Sequence, residues 1–428
     1  MKEIICEERL CTGCSACSQA CPQGAVAMEA NNEGFLYPRI DEGRCTDCGL
    51  CGRICPVNKA VAGDIAVNNA NAAAGSGDDA GKTDVKAAGN GTVSNAAKIE
   101  NAGIRKMRHR AFACYSKDDE IRSKSTSGGA FTQLALKVLS AGGIVFGAGF
   151  DENFNVRHCY IENESGLDGL RRSKYVQSAV GNTFKEAEAF LREGRDVLFC
   201  GTPCQIAGLK AYLRKDYKNL LACDLVCSGV PSPKVWSLYL DYMRKRFGSG
   251  ISSVSFRDKS TGWSNSSMKI VFKDGSLYTD KVTREIFFIG FGKSIFNRKS
   301  CYECKFRLNN TKADLTLADF WGIDRRSGDE NSVTDDKGVS LVITHTEAGE
   351  NALSAISGNM WISERGLDEA VKYNPRMVSS VAEPAGRKSF FGDMAAGYGF
   401  DWLRKKYMDN ESIKYKLKCI AKHILGRA

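Results

Sequence analysis

The chain has 428 residues, with 60 Lys and Arg against 50 Asp and Glu, and a formal charge of +10. That length allows two or three domains. The charge is modest for the size, and no patch interleaves basic with aromatic residues, so nucleic acid is not an expected partner. No run of 18 apolar residues occurs, which excludes a transmembrane helix. The start, Met1-Lys-Glu-Ile-Ile-Cys6, lacks the pattern of a secretory leader. Eighteen cysteines in such a chain point to a reducing, cytoplasmic setting and to metal ligation.

Twelve residues near the start read Cys11-Thr-Gly-Cys14-Ser-Ala-Cys17-Ser-Gln-Ala-Cys21-Pro22. A near-copy follows as Cys45-Thr-Asp-Cys48-Gly-Leu-Cys51-Gly-Arg-Ile-Cys55-Pro56. Each half is C-x-x-C-x-x-C-x-x-x-C-P, the spacing of bacterial two-cluster ferredoxins, in which the fourth cysteine of each run serves the other cluster. The expected ligand sets are Cys11, Cys14, Cys17 and Cys55 for one 4Fe-4S cluster, and Cys45, Cys48, Cys51 and Cys21 for the other. Three thiolates from a tight loop wrap one face of a compact cube, and the fourth must arrive from elsewhere. The proline after each fourth cysteine turns the chain without losing a backbone donor. Zinc also uses repeated C-x-x-C, but with four ligands in pairs. A disulfide framework would need three bridges among thiols too close to form them.

Residues 1–58 thus form a small α+β ferredoxin-like module of hairpins and short helices, with two internal repeats and a core that the clusters hold together. Residues 59–104 are rich in Ala, Asn, Gly and Asp and read as a disordered linker. A coil of about 45 residues spans roughly 35–40 Å, so electrons pass onward only if the module docks noncovalently.

From about residue 110 the pattern is α/β. An amphipathic helix over 130–139 precedes a buried strand at 144–150. A helix over 185–193 leads to a strand at 197–200, a helix at 204–213 and a strand at 220–226. Such alternation argues for a mostly parallel sheet. Residues 251–290, with a Lys273-Asp-Gly275 turn, read as an antiparallel β insertion. The end, from Trp402 to Ala428, is basic and amphipathic. It either packs on its own domain or offers a peripheral contact to a membrane surface or acidic partner.

Two features of this half carry chemistry. Ser125-Thr-Ser-Gly-Gly129 lies just before a helix, where hydroxyls, close backbone and free N–H groups make an anion site suited to a pyrophosphate, although the same pattern also caps ordinary helices. In Gly201-Thr-Pro-Cys204, Thr202 is a good N-cap and Pro203 a good first residue, which puts Cys204 in a first helical turn that favours a thiolate. Cys204, Cys227, Cys301 and Cys304 can together supply a third cluster. Cys200 and Cys223 fall inside strands and read as small apolar residues. Cys6, Cys114, Cys159 and Cys419 show no partner pattern. The four histidines have no ligand spacing, and no Walker loop, G-x-G-x-x-G turn or Ser-His-Asp set is present. No catalytic residue is named by the sequence.

From residue 115 to 345 the chain resembles the coenzyme F-420 hydrogenase/dehydrogenase beta-subunit family. The likeness rests on five ordered blocks: Ser125–Gly129, Ser173-Lys-Tyr-Val-Gln-Ser178, Cys200-Gly-Thr-Pro-Cys-Gln205, Asp224-Leu-Val-Cys-Ser-Gly-Val-Pro-Ser-Pro233, and Cys301-Tyr-Glu-Cys-Lys305 with Ala313–Gly322. The resemblance implies an FAD-binding α/β domain made of an N-terminal part (110–195) and a C-terminal part (196–365) with a third cluster, followed by a helical tail (366–428). It implies that Thr126, Ser127, Gly128, Gly129, Lys174, Tyr175, Gln177 and Ser178 line the flavin, and that Cys204, Cys227, Cys301 and Cys304 hold the cluster. Relatives include archaeal subunits that oxidise the deazaflavin coenzyme and plant reductases of a chlorophyll intermediate. The Val226–Pro233 form resembles a bacterial branch associated with surface polysaccharide synthesis. The expected function is an iron–sulfur flavoprotein oxidoreductase that passes electrons between clusters, FAD and a small-molecule substrate or redox partner. The alternative is an electron-relay subunit with no substrate of its own, and a zinc-bound scaffold is a third reading.

Overall fold

The computed structural model describes residues 5–61, 109–323, 333 and 335–409. Most of the expected linker and the segment from 410 onward, with Cys419, lie outside the described residues.

The N-terminal module is built as its repeat dictates. Strands β1 (Val26–Ala30) and β2 (Leu36–Ile40) pair antiparallel, and short helices Ala16–Ala20 and Leu50–Arg53 carry the middle cysteines of each run. Both loops use the same backbone device. Gly13 and Asp47 have φ of 67° and 57°, and Ser15 and Gly49 have φ of 63° and 65°. These left-handed residues curl the chain so that cysteines three apart face inward.

The larger part is one eight-stranded sheet. In chain order its strands are β3 (Arg110–Ser116), β4 (Ile144–Phe150), β5 (Val156–Ile161), β6 (Val197–Cys200), β7 (Leu220–Leu225), β11 (Leu315–Asp319), β12 (Ser340–Thr344) and β13 (Met360–Arg365). Between β7 and β11 come β8 (Ile251–Asp258), β9 (Ser267–Phe272) and β10 (Leu277–Lys281). The sheet order is β13-β3-β12-β11-β7-β6-β4-β5. Only β4, β6, β7 and β11 run parallel. The pairings of β13 with β3, β3 with β12, β12 with β11, and β4 with β5 are antiparallel. The expectation of a mostly parallel sheet is therefore corrected to a mixed one. The helix–strand alternation marks the central strands, while the flanking strands join from distant parts of the chain and need no crossover helix.

Alternate residues of the central strands enter opposite cores. Ile144, Phe146, Val197, Phe199, Leu220 and Ala222 meet helices Thr183–Arg192 and Pro203–Leu213 on one face. Val145, Leu198 and Cys223 meet helices Ala130–Ser140 and Glu347–Ala355 on the other. Covering both faces explains why these strands read as continuous apolar runs. The expected insertion is observed as the separate antiparallel sheet β10-β9-β8. It packs with Trp236, Tyr239 and Phe287 in an aromatic core. Helices Arg387–Ala395 and Phe400–Tyr407 seal that core with Phe390, Phe400 and Leu403, so the described part of the tail packs on its own chain.

The N-terminal module is seated on this body. Helix Ala16–Ala20 lies on helix Pro203–Leu213. A Cβ on Gly208 would meet Cys14 Cβ at 2.8 Å and Sγ at 3.0 Å, so glycine is required for this approach. Gln19 Oε1 accepts from Phe184 N at 2.9 Å and caps helix Thr183–Arg192 from outside. Arg387 forms a bidentate pair with Glu33 in the β1–β2 turn, at 2.9 and 2.6 Å. The noncovalent docking that electron passage requires is present.

Candidate iron–sulfur and flavin site

Three groups of thiols gather as the spacing predicts. Cys11, Cys14, Cys17 and Cys55 are buried, and each acts electrostatically on others of the set. Cys51 lies beside Cys21 and Cys45, and Cys48 stands exposed at the rim. Cys204, Cys227, Cys301 and Cys304, from four loops up to 100 positions apart in sequence (304 − 204), also act on one another. None of these cysteines is in a disulfide. Among the described residues no three His, Cys, Asp or Glu converge on a point that suits a single metal ion. A zinc ion at about 2.3 Å from each sulfur draws its ligands closer together than an iron–sulfur cube does. The donor sets fit 4Fe-4S clusters, called clusters 1, 2 and 3 in the order above.

Burial dominates the thiols. It pushes Cys14, Cys227 and Cys301 up to about 12 and raises Cys204 as well. The expectation that the helix N-terminus would make Cys204 a thiolate is corrected: desolvation outweighs the dipole until a metal takes the proton's place. Thr202 Oγ1 lies 3.2 Å from its Sγ, and the expected cap is present in Thr202 N donating to Gln205 Oε1 at 2.9 Å. Cys6, to which the sequence assigns no role, hydrogen-bonds Cys11 and Cys55. This contact lowers Cys11 to about 6 and Cys55 to about 7. The signal is its nearness to Cys11, which no motif contains.

Clusters 1 and 3 adjoin. Cys14 acts on Cys204, and Cys17, Cys55, Cys204 and Cys304 share one apolar cluster with Ala207 and Phe306. Beside cluster 3 opens a cavity of about 490 Å³ at the C-terminal ends of β6, β7 and β11, the usual place for a ligand in such sheets. Cys204 and Cys227 form part of its wall, as do Thr126, Ser127, Gly129, Lys174, Tyr175, Gln177 and Ser178. Of the residues expected from the resemblance, Gly128 is not in the wall. It lies behind, where a Cβ would meet Cys114 O at 2.3 Å and Ser340 N at 2.7 Å, so it serves strand packing. Cys200 and Cys223, expected to be plain apolar residues, also line the cavity and face each other across β6 and β7.

The cavity wall is cationic, with Arg171, Arg172, Lys174, Arg257 and Arg376. Lys174 donates to the Gly169 and Arg171 carbonyls at 3.0 and 2.7 Å, and burial lowers it to about 7. Gln177 donates to Thr12 O of the cluster 1 loop at 2.9 Å, joining the cavity to the N-terminal module. His158 Nε2 donates to Cys200 O at 3.0 Å, so its Nδ1 accepts from Ser178 Oγ at 2.7 Å. Asp224, raised to about 7 by burial, accepts from Thr311 at 2.6 Å and from Thr316. Thr316 continues through His345 Nε2 at 2.7 Å to His109 at 2.8 Å. Sequence spacing could not reveal this chain, because its members come from four separate segments.

Residues 10–59 match the model of the 4Fe-4S dicluster domain, and residues 194–370 match that of the C terminus of the coenzyme F420 hydrogenase/dehydrogenase beta subunit. The chain joins a 4Fe-4S dicluster domain to a C-terminal domain of the F420 hydrogenase/dehydrogenase beta-subunit family. It is an iron–sulfur protein of the oxidoreductase type, related to that beta subunit. A chain in a xenon-derivatised structure of the F420-reducing NiFe hydrogenase complex from Methanosarcina barkeri is 19% identical, with TM-score 0.42, covering 64% of this chain and 95% of that one. No curated protein matches. Among the described residues no helix is long and apolar enough to cross a membrane.

Proposed function

We propose that this beta-subunit relative is a three-cluster iron–sulfur flavoprotein that moves electrons between clusters 2, 1 and 3 and an FAD in the cavity. The observation that carries the reading is that two cluster 3 thiols, Cys204 and Cys227, form part of the cavity wall. Bound there, FAD would supply the exchange between single electrons and a two-electron transfer to a substrate. The chain's own residues bind and orient. Helix Ala130–Ser140 begins at the cavity wall, and its free N–H groups with Thr126 and Ser127 suit a pyrophosphate. The cationic wall favours an anionic ligand. Lys174 Nζ, close to neutrality in its proton affinity, can hold or yield a proton at the cavity surface. The motif at Val226–Pro233 suggests surface polysaccharide synthesis as the setting.

Anaerobic purification with iron and flavin quantitation tests this. The expected content is about twelve irons by cluster arithmetic and one flavin, and Cys304→Ala should lose about four irons while the N-terminal clusters stay. Eight irons without flavin would refute the reading of the second half. Zinc in place of iron would select the scaffold. The electron-relay reading is favoured by the exposure of Cys48, which opens cluster 2 to a partner protein. It gains if bound flavin is reduced only in a partner complex.

A further inference from the structure

Four arginines are almost wholly buried: Arg122, Arg257, Arg298 and Arg387. Three are paired with carboxylates: Arg122 with Asp335, Arg257 with Asp319, and Arg387 with Glu33. Arg298, at 0% exposure, has no carboxylate partner among the described residues. Its Nε donates to Cys11 O at 2.7 Å, Nη2 to Leu36 O at 2.9 Å and Nη1 to Gln177 Oε1 at 3.1 Å. Nη2 also reaches Cys11 Sγ at 3.7 Å, and the guanidinium lies 4.1 Å from the Tyr37 ring centre. Neutral oxygens satisfy its hydrogen bonds but do not balance its charge. An uncompensated buried cation is expensive, and guanidinium does not shed its proton in proteins.

The anion it faces is a thiolate-bound cluster. Cys11 is a cluster 1 ligand, and Cys301, whose N donates to Arg298 O at 3.0 Å, is a cluster 3 ligand on which the same guanidinium acts. Cluster 2 has no counterpart. Arg44 and Arg53 point to the Gln23 and Cys48 carbonyls from exposed positions, where solvent screens them.

We propose that Arg298 is the fixed counter-ion of cluster 1, raising its potential above that of cluster 2 so that an electron entering at the exposed cluster comes to rest beside cluster 3. When cluster 1 gains one electron it gains one negative charge, no proton moves, and the neighbouring cation stabilises the reduced form. Hydrogen bonds to cluster sulfurs and local charge are the established levers on such potentials. The role of cluster 1 rests on the dicluster domain, and only the onward step rests on the three-cluster reading.

The test is an anaerobic redox titration of the full chain followed by electron paramagnetic resonance, with Cys48→Ala assigning the cluster 2 signal. In the wild type, cluster 1 should be reduced before cluster 2. Arg298→Gln should shift cluster 1 downward enough to merge or reverse that order while cluster 2 stays in place. Arg298→Lys, which keeps the charge but not the three-armed hydrogen bonding, should retain the wild-type order. Unchanged potentials in an iron-replete Arg298→Gln protein would overturn the proposal. If Arg298→Gln loses iron, Arg298→Lys decides: retained iron and order support a role for the charge, and equal loss of iron assigns Arg298 to packing alone and overturns it. The iron count of the wild type, eight or twelve, reports separately on cluster 3.

Discussion

The two halves of the cysteine repeat have one local geometry and two environments. Both place left-handed residues at equivalent positions, 13 and 47, then 15 and 49. Yet Cys11, Cys14 and Cys17 are buried, whereas Cys45 and Cys51 are half-buried, Cys48 is exposed, and helix Leu50–Arg53 buries no residue. The difference comes from residues between the cysteines. Gln19 caps a helix of the large domain, while its repeat equivalent Arg53 bonds only its own loop. The cysteine spacing shapes a cluster-binding loop, and its neighbours decide whether that loop faces solvent or another redox centre.

The comparison can be broken most severely at Glu33. Glu33→Ala leaves Arg387, 2% exposed, without its carboxylate, and should cost about 3–5 kcal/mol, read as a lower denaturant midpoint in anaerobic unfolding. Next in size, Gln19→Ala should cost about 1 kcal/mol through the lost cap, whereas Arg53→Gln at the equivalent place should stay within about 0.5 kcal/mol. Equal effects at the two positions would remove the asymmetry.

The smallest effect is on pH dependence and is confined to the buried side. Burial holds His158 down to about 4 and His345 to about 3, against 6.5. The unfolded chain gains these protons first, so stability falls as pH drops below 6.5. Asp224 acts in the opposite sense. Its carboxyl is raised from 3.8 to about 7, so its contribution is lost as pH rises between those values. Unfolding followed against pH should show His345→Gln with a weaker acid-side slope and Asp224→Asn with a weaker slope between pH 4 and 7.

Local chemistry was legible in the sequence wherever one short segment contains the whole cause. The cysteine runs, the Thr202–Pro203 helix start, the β8–β10 insertion and the Ser125–Gly129 loop all depend on neighbours in the chain. The mixed sheet did not show, because β3, β12 and β13 pair across more than 200 positions (340 − 114 at the Ser340–Cys114 pair, for instance), and a strand's own residues do not state its partner's direction. Cys6, Arg298 and the Asp224–His109 chain stayed hidden for the same reason. The Cys204 thiol misled because a helix N-terminus can be read from sequence while its depth of burial cannot.

Phe35 and Tyr37 belong to the same apolar cluster as Trp236, Phe296 and Phe390. The first sixty residues therefore fill a gap in the body as well as carrying charge into it. Cutting them away would wet the aromatic floor beneath, so the electron inlet and the rest of the molecule should melt in a single cooperative transition.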